Sequence, residues 1–113
     1  MKNGFLSISL ILMLFFSSLS LTSIGEEDKS DTWYVDDDGG ADFTCVQDAV
    51  DAASPVDTIF VYSGLYVENI VVNKTLKLIG EDKNTTVLDG NYTEDTLFIT
   101  ENADYVEITD FTF

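Results

Sequence analysis

Residues 57–80 read DTIFVYSGLYVENIVVNKTLKLIG, and this stretch decides the fold. Ile59 and Val61 share one face of an extended chain, as do Ile70 and Val72 and then Leu76 and Leu78, because side chains alternate across a strand. The same spacing returns at Leu97 and Ile99, at Val106 and Ile108, and at Phe111 and Phe113. These are short strands, separated by Gly, Asn and Asp, which punctuate extended segments. None of the gaps is the two-residue Asn-Gly turn that closes a hairpin, and their irregular lengths disfavour a simple meander.

A weak internal repeat accompanies the alternation. Shifting the sequence by 21 residues lays Thr75 on Thr96, Leu76 on Leu97, Leu78 on Ile99 and Asp89 on Asp110, whereas a shift of 30 lays Leu76 and Leu78 on Val106 and Ile108. Many short strands at loosely periodic spacing suit an all-β, coiled parallel solenoid whose stacked rungs bury one continuous core. A twisted antiparallel sandwich is the structural alternative.

Upstream of this stretch the period changes. Val46, Ala49, Val50 and Ala53 recur at helical spacing and form one apolar face, and Pro55 stops the helix. Thr44 is the expected N-cap, with Gln47 completing a Thr-x-x-Gln capping box. Asp48 and Asp51 point away from the apolar face, near the first turn, where the helix dipole tolerates negative charge. Trp33-Tyr34-Val35 reads as a brief strand, and Asp36-Asp37-Asp38-Gly39-Gly40 as a turn.

The first 25 residues differ from all that follows. Lys2 precedes an uncharged apolar run from Phe5 to Leu21, and Ser23 and Gly25 are small residues suited to a cleavage site, so residues 1–25 read as a signal peptide. An uncleaved N-terminal membrane anchor is the other reading, since this uncharged run of 17 residues falls just short of a spanning helix. Membrane contact is expected through this leader alone. Residues 26–32 then form a polar linker, 33–56 a cap with a short helix, and 57–113 a set of coils.

Charge narrows the chemistry. The chain carries 5 Lys, no Arg and no His against 21 acidic residues, a formal charge of −16. Removal of the leader takes away Lys2 and leaves 4 Lys against 21 acids, a formal −17. Without His there is no imidazole base and no His-ligated zinc. Without Arg there is no bidentate phosphate clamp, and the negative field repels nucleic acid and polyanionic sugars. The single Cys45 excludes an internal disulfide and reads as a small, half-buried packing residue.

Taken in order, Asp42-Phe43-Thr44-Cys45-Val46-Gln47-Asp48-Ala49-Val50-Asp51-Ala52-Ala53, Asp57-Thr58-Ile59-Phe60-Val61, Gly64-Leu65-Tyr66-Val67-Glu68-Asn69-Ile70 and Leu76-Lys77-Leu78-Ile79-Gly80 resemble the start of right-handed parallel β-helix proteins, the pectin-lyase-like superfamily. The resemblance runs from Trp33 to Phe113. It is nearest to pectin methylesterases and to surface or periplasmic β-helix proteins of the NosD type and the carbohydrate-binding kind. It implies a single-stranded right-handed solenoid with a short N-terminal capping helix. Family members usually carry Pro-Gly-Asp before the first strand and Pro-Gly-Thr-Tyr after it. Here Pro55-Val56-Asp57 and Ser63-Gly64-Leu65-Tyr66 stand in those places, so a left-handed residue at position 56 is not expected. The family's esterase carboxylates, Gln residues and Arg, and the base and calcium-binding carboxylates of its lyases, lie in later coils. No catalytic residue is carried over.

Several residues are candidates for chemistry. Asp36, Asp37, Asp38 and Asp42 surround the Gly-Gly turn and could offer oxygens to a cation such as Ca2+, although a charge run is ordinarily a solvated turn. Glu81 and Asp82 with Asp89 are a possible carboxylate pair for glycoside hydrolysis, with loop solubility as the simpler account. Trp33, Tyr34, Tyr62, Tyr66, Tyr92 and Tyr105 could stack on sugar rings, while Trp33 and Tyr66 could equally pack the cap onto the first coils. Asn73, Asn84 and Asn91 begin Asn-x-Thr sequons and are glycosylation candidates.

The function expected is that of a non-catalytic segment of an exported, secreted or cell-surface β-helix protein with a structural or glycan-interaction role. Its partners would be surface glycans or further coils of the same protein. The alternative is the N-terminal piece of a carbohydrate-active enzyme, pectin-methylesterase-like or a polysaccharide lyase, with its active site downstream. Copper delivery is weaker, because Met1 and Met13 both lie in the leader. An apolar rung from Val106 to Phe113 with no cap is expected to self-associate, so residues 26–113 are expected to fold poorly in isolation.

Overall fold

The computed structural model describes residues 29–91 and 95–113. The expected leader, residues 26–28 of the linker and Tyr92 lie outside them. The elements are β1 (Thr32–Val35), α1 (Val46–Ala52), β2 (Thr58–Val61), β3 (Gly64–Val67), β4 (Ile70–Val72), β5 (Leu76–Gly80), β6 (Thr86–Asp89), β7 (Leu97–Ile99) and β8 (Val106–Thr109). Among the described residues the fold is mostly β with one short helix, and every strand pairing is parallel. Parallel pairing rules out the antiparallel sandwich.

Three sheets share the strands. The first runs β1-β2-β5-β8, the second holds β3 and β6, and the third holds β4 and β7. From β2 onward the chain visits first, second and third sheets in that order, twice, then returns to the first with β8 and reaches the second again where Thr112 bridges Val87. Leu76 pairs with Val106 and Leu78 with Ile108, so the 30-residue shift is a true register. The 21-residue shift is not: Leu97 and Ile99 lie beside Ile70 and Val72.

The alternation produces the core directly. Val35, Ile59, Val61, Ile70, Val72, Leu76, Leu78 and Leu88 are buried between the sheets, joined by Val46, Ala49, Val50 and Ala53 from the helix. Two strands were not legible as apolar pairs. In β3 only Tyr66 is buried while Leu65 and Val67 face out, and in β6 Thr86 and Leu88 are the buried positions. Gly80 is required by close approach, because a Cβ there would overlap the Asp110 carbonyl oxygen. Phe111 and Phe113 do not form a further strand; Thr112 between them makes an isolated bridge.

Two local expectations are corrected. The helix N-cap is Cys45, not Thr44, and it makes no side-chain cap. The orphan amides of Val46 and Gln47 instead donate to the two carboxylate oxygens of Glu68, at 2.9 and 2.8 Å. A charged acceptor at a helix start satisfies both donors and the dipole, which outweighs a local capping box. Val56 does adopt the left-handed region, with φ 69°. A β-branched residue there is strained. Its N–H donates to the Thr75 carbonyl at 2.8 Å, and the neighbouring Asp57 is fixed from several sides, so the surroundings impose the conformation.

Candidate functional site

The first coil and the cap meet through a set of polar contacts that organise one end of the molecule. Asp57 is buried and accepts from the Asp31 N–H at 2.8 Å, the Ser54 N–H at 2.9 Å and the Trp33 indole at 3.0 Å. Burial alone would raise its pKa, but these three donors and the charge of Lys74 reverse that and hold the carboxyl below its ordinary value. Lys74 Nζ in turn donates to the Val50 and Ala53 carbonyls, both at 2.8 Å, and so closes the C-terminal end of the helix. Glu68 and Lys74 flank β4, so one strand holds both ends of α1.

The outward edges of the three sheets at this end are each met by a side chain. Tyr34 N–H on β1 donates to Asp42 at 3.0 Å. Leu65 N–H on β3 reaches Asp37 at 3.3 Å. Val71 N–H on β4 donates to Gln47 Oε1 at 2.7 Å, while Gln47 Nε2 donates back to the Val71 carbonyl at 3.2 Å. Gln47 therefore replaces a neighbouring strand. This end of the sheets is closed to further pairing, which is how natural proteins suppress edge association.

Tyr66 anchors the same region. Its hydroxyl donates to the Tyr62 carbonyl at 2.8 Å and accepts from the Asp37 N–H at 3.2 Å. Burial, with the carboxylates of Asp37, Asp36 and Asp38 adding to it against that N–H, pushes the phenol up to about 12. Cys45 is half-buried, and burial with the nearby Asp48 pushes its thiol up, as suits a packing residue rather than a nucleophile.

The candidate residues separate in space. Ligand oxygens of Asp36, Asp37 and Asp38 lie within 4.8 Å of one another, and Asp42 is not in that group. Asp36 accepts from the Asp38 N–H at 3.1 Å, a turn contact. Asp82 and Asp89 each accept a backbone N–H two residues on, from Asn84 and Asn91, and Glu81 accepts the Ser63 N–H of the preceding coil. Asn73, Asn84 and Asn91 are all exposed. Trp33 is half-buried and packs on Phe43 with ring centroids 5.7 Å apart, and Tyr66 is core, so both serve the packing of the cap on the first coils. Tyr105 is exposed.

Tyr34 and Tyr62 come together on the outer face of the first sheet. Their rings are 6.2 Å apart and 28° from parallel, beside a groove of about 370 Å3 lined by Tyr34, Gly40, Ala41, Asp42 and Tyr62. Asp57, Glu68 and Lys74 are organising residues that motif reading missed, and Gln47, expected in a capping box, instead bonds the Val71 backbone. Apart from the Ser54 N–H, three residues from Asp57, the partners named here lie 21 to 26 residues away, with no local pattern to announce them.

Part of this chain is similar to a pectinesterase. Over 63 residues it is 35% identical to Probable pectinesterase/pectinesterase inhibitor 6 of Arabidopsis thaliana. The match takes in 48% of this chain and 11% of that protein. No family model and no solved structure matches the chain. The parallel strands agree with the pectin-lyase-like resemblance. No helix among the described residues is long and apolar enough to cross a membrane.

Proposed function

We propose that these residues form the sealed leading end and first coils of a right-handed parallel β-helix in an exported surface protein, where the role is structural: the cap starts the solenoid and the opposite edge receives further coils. Residues 1–25 are then the leader, 26–32 the linker, 33–56 the cap and 57–113 the coils. The cyclic order of the three sheets supports a solenoid, and parallel crossovers within a sheet are right-handed almost without exception. The exposed sequon asparagines and the −16 charge suit an extracellular surface.

One observation carries the reading. Ile70 and Val72 of β4 are buried, whereas their register partners Leu97 and Ile99 in β7 are half-buried and exposed. Inward positions that the preceding coil covers are uncovered in the last. An apolar edge of this kind is a seat for another rung. Sedimentation velocity on the full chain, in about 1 M salt to screen its charge, tests it. Concentration-dependent association that Ile99→Lys abolishes is expected. A monomer at every concentration would overturn the reading.

The pectinesterase similarity favours a second reading, in which the chain is the leading piece of a carbohydrate-active enzyme whose acid/base residues lie in other coils. Release of methanol from methylated polygalacturonate by the gene product, unaffected by substitution of Glu81, Asp82 or Asp89, would support it. No release by the gene product would reject the esterase form.

A further inference from the structure

The outer face of the first sheet carries an aromatic group that neither the core nor the edge contacts use. Tyr34 and Phe60 are ladder partners, and Tyr62 follows β2. Phe60 meets Tyr62 edge-on, with centroids 5.2 Å apart and planes at 79°, and meets Tyr34 at 6.0 Å. These contacts hold the two phenol rings as one shelf. Gly39 and Gly40, with φ 87° and 86°, turn the following segment so that Gly40, Ala41 and Asp42 make the facing wall. One oxygen of Asp42 accepts from the Tyr34 N–H, which fixes the carboxylate at the groove, and the other makes no hydrogen bond among the described residues.

We propose that this groove binds a pyranose unit that carries no carboxylate. The electron-rich ring faces of Tyr34 and Tyr62 attract the C–H face of a sugar. The open oxygen of Asp42 accepts from a sugar hydroxyl, a charge-assisted bond that fixes the ring's orientation on the shelf. A volume of about 370 Å3 is at the small end of ligand sites, suited to a short saccharide. Asp42, the neighbouring Asp36, Asp37 and Asp38, and the overall charge of −16 exclude a uronate from the same place. The proposal does not rest on the coil-stacking reading, since the groove lies outside the first sheet at the sealed end.

The test is binding of the full chain to an array of uncharged oligosaccharides (β-1,4-glucan, galactan, xylan and mannan tetramers) beside tetragalacturonate. The affinity is then followed by isothermal titration. At least one uncharged oligosaccharide is expected to bind and tetragalacturonate to fail. Tyr62→Ala should weaken binding about tenfold, while Tyr62→Phe, which keeps the ring, retains it. Tyr62 contributes its backbone, not its side chain, to the contacts with Val35 and Tyr66, so an unchanged melting temperature shows that the fold is kept. Failure of every uncharged oligosaccharide, equal binding by Tyr62→Ala, or equal binding of tetragalacturonate would each overturn the proposal.

Discussion

At the leading end of the sheets three outward amides, on Tyr34, Leu65 and Val71, each meet a side chain, from Asp42, Asp37 and Gln47. At the trailing end the strands are the same in kind but their surroundings are not. Ile70 N–H bonds the Thr96 carbonyl and Thr100 N–H bonds the Val72 carbonyl, so the amides of Leu97 and Ile99 point away from β4. No strand lies beyond them among the described residues. Closing a parallel sheet thus needs acceptors matched to its edge, one for each sheet, and loops and a helix of seven residues suffice to supply them.

The leading end depends most on Asp57. Asp57→Ala orphans three donors and is expected to cost about 3 kcal/mol, read as a fall in the denaturation midpoint, with the leading amides losing protection first. The same residue sets a pH dependence. Its folded pKa lies below the unfolded value, so its contribution is present above the ordinary carboxylate range and is lost as pH falls through that range towards the folded value. The stability difference between the native chain and Asp57→Asn should therefore shrink on acidification. Taking the difference removes the relief of charge repulsion that both proteins share.

A smaller effect is expected at the helix. Glu68→Ala leaves the Val46 and Gln47 amides without their acceptor and should cost about 1–2 kcal/mol. Because Gln47 would then be held less firmly, exchange at Val71 should quicken more than exchange at Ile70. The smallest effect is expected at Val56, where Val56→Gly relieves the left-handed β-branched residue. It should stabilise the protein by about 1 kcal/mol, the Val strain exceeding the entropy that Gly adds to the unfolded chain. Thermal melting checks the sign.

Interior strands were legible because their buried partners alternate without interruption, as at Ile59 and Val61. β3 was not, since its exposed Leu65 and Val67 invert the pattern and its single buried residue is an aromatic. The helix face at Val46, Ala49 and Val50 was equally legible, but its cap was not, because Glu68 lies two strands downstream. The acidic turn at Asp36, Asp37, Asp38 and Asp42 stood out by charge density; that Asp37 and Asp42 accept edge amides did not, because those amides lie on strands at other places in the sequence. Tyr34 and Tyr62 stood out by type, but only the β1 to β2 register brings their rings together.

Amide hydrogen exchange, resolved residue by residue on the full chain, tests the asymmetry of the two ends most directly. Tyr34, Leu65 and Val71 should exchange as slowly as ladder amides such as Ile70, and Leu97 and Ile99 much faster. Equal rates for the two sets of edge amides would contradict the account.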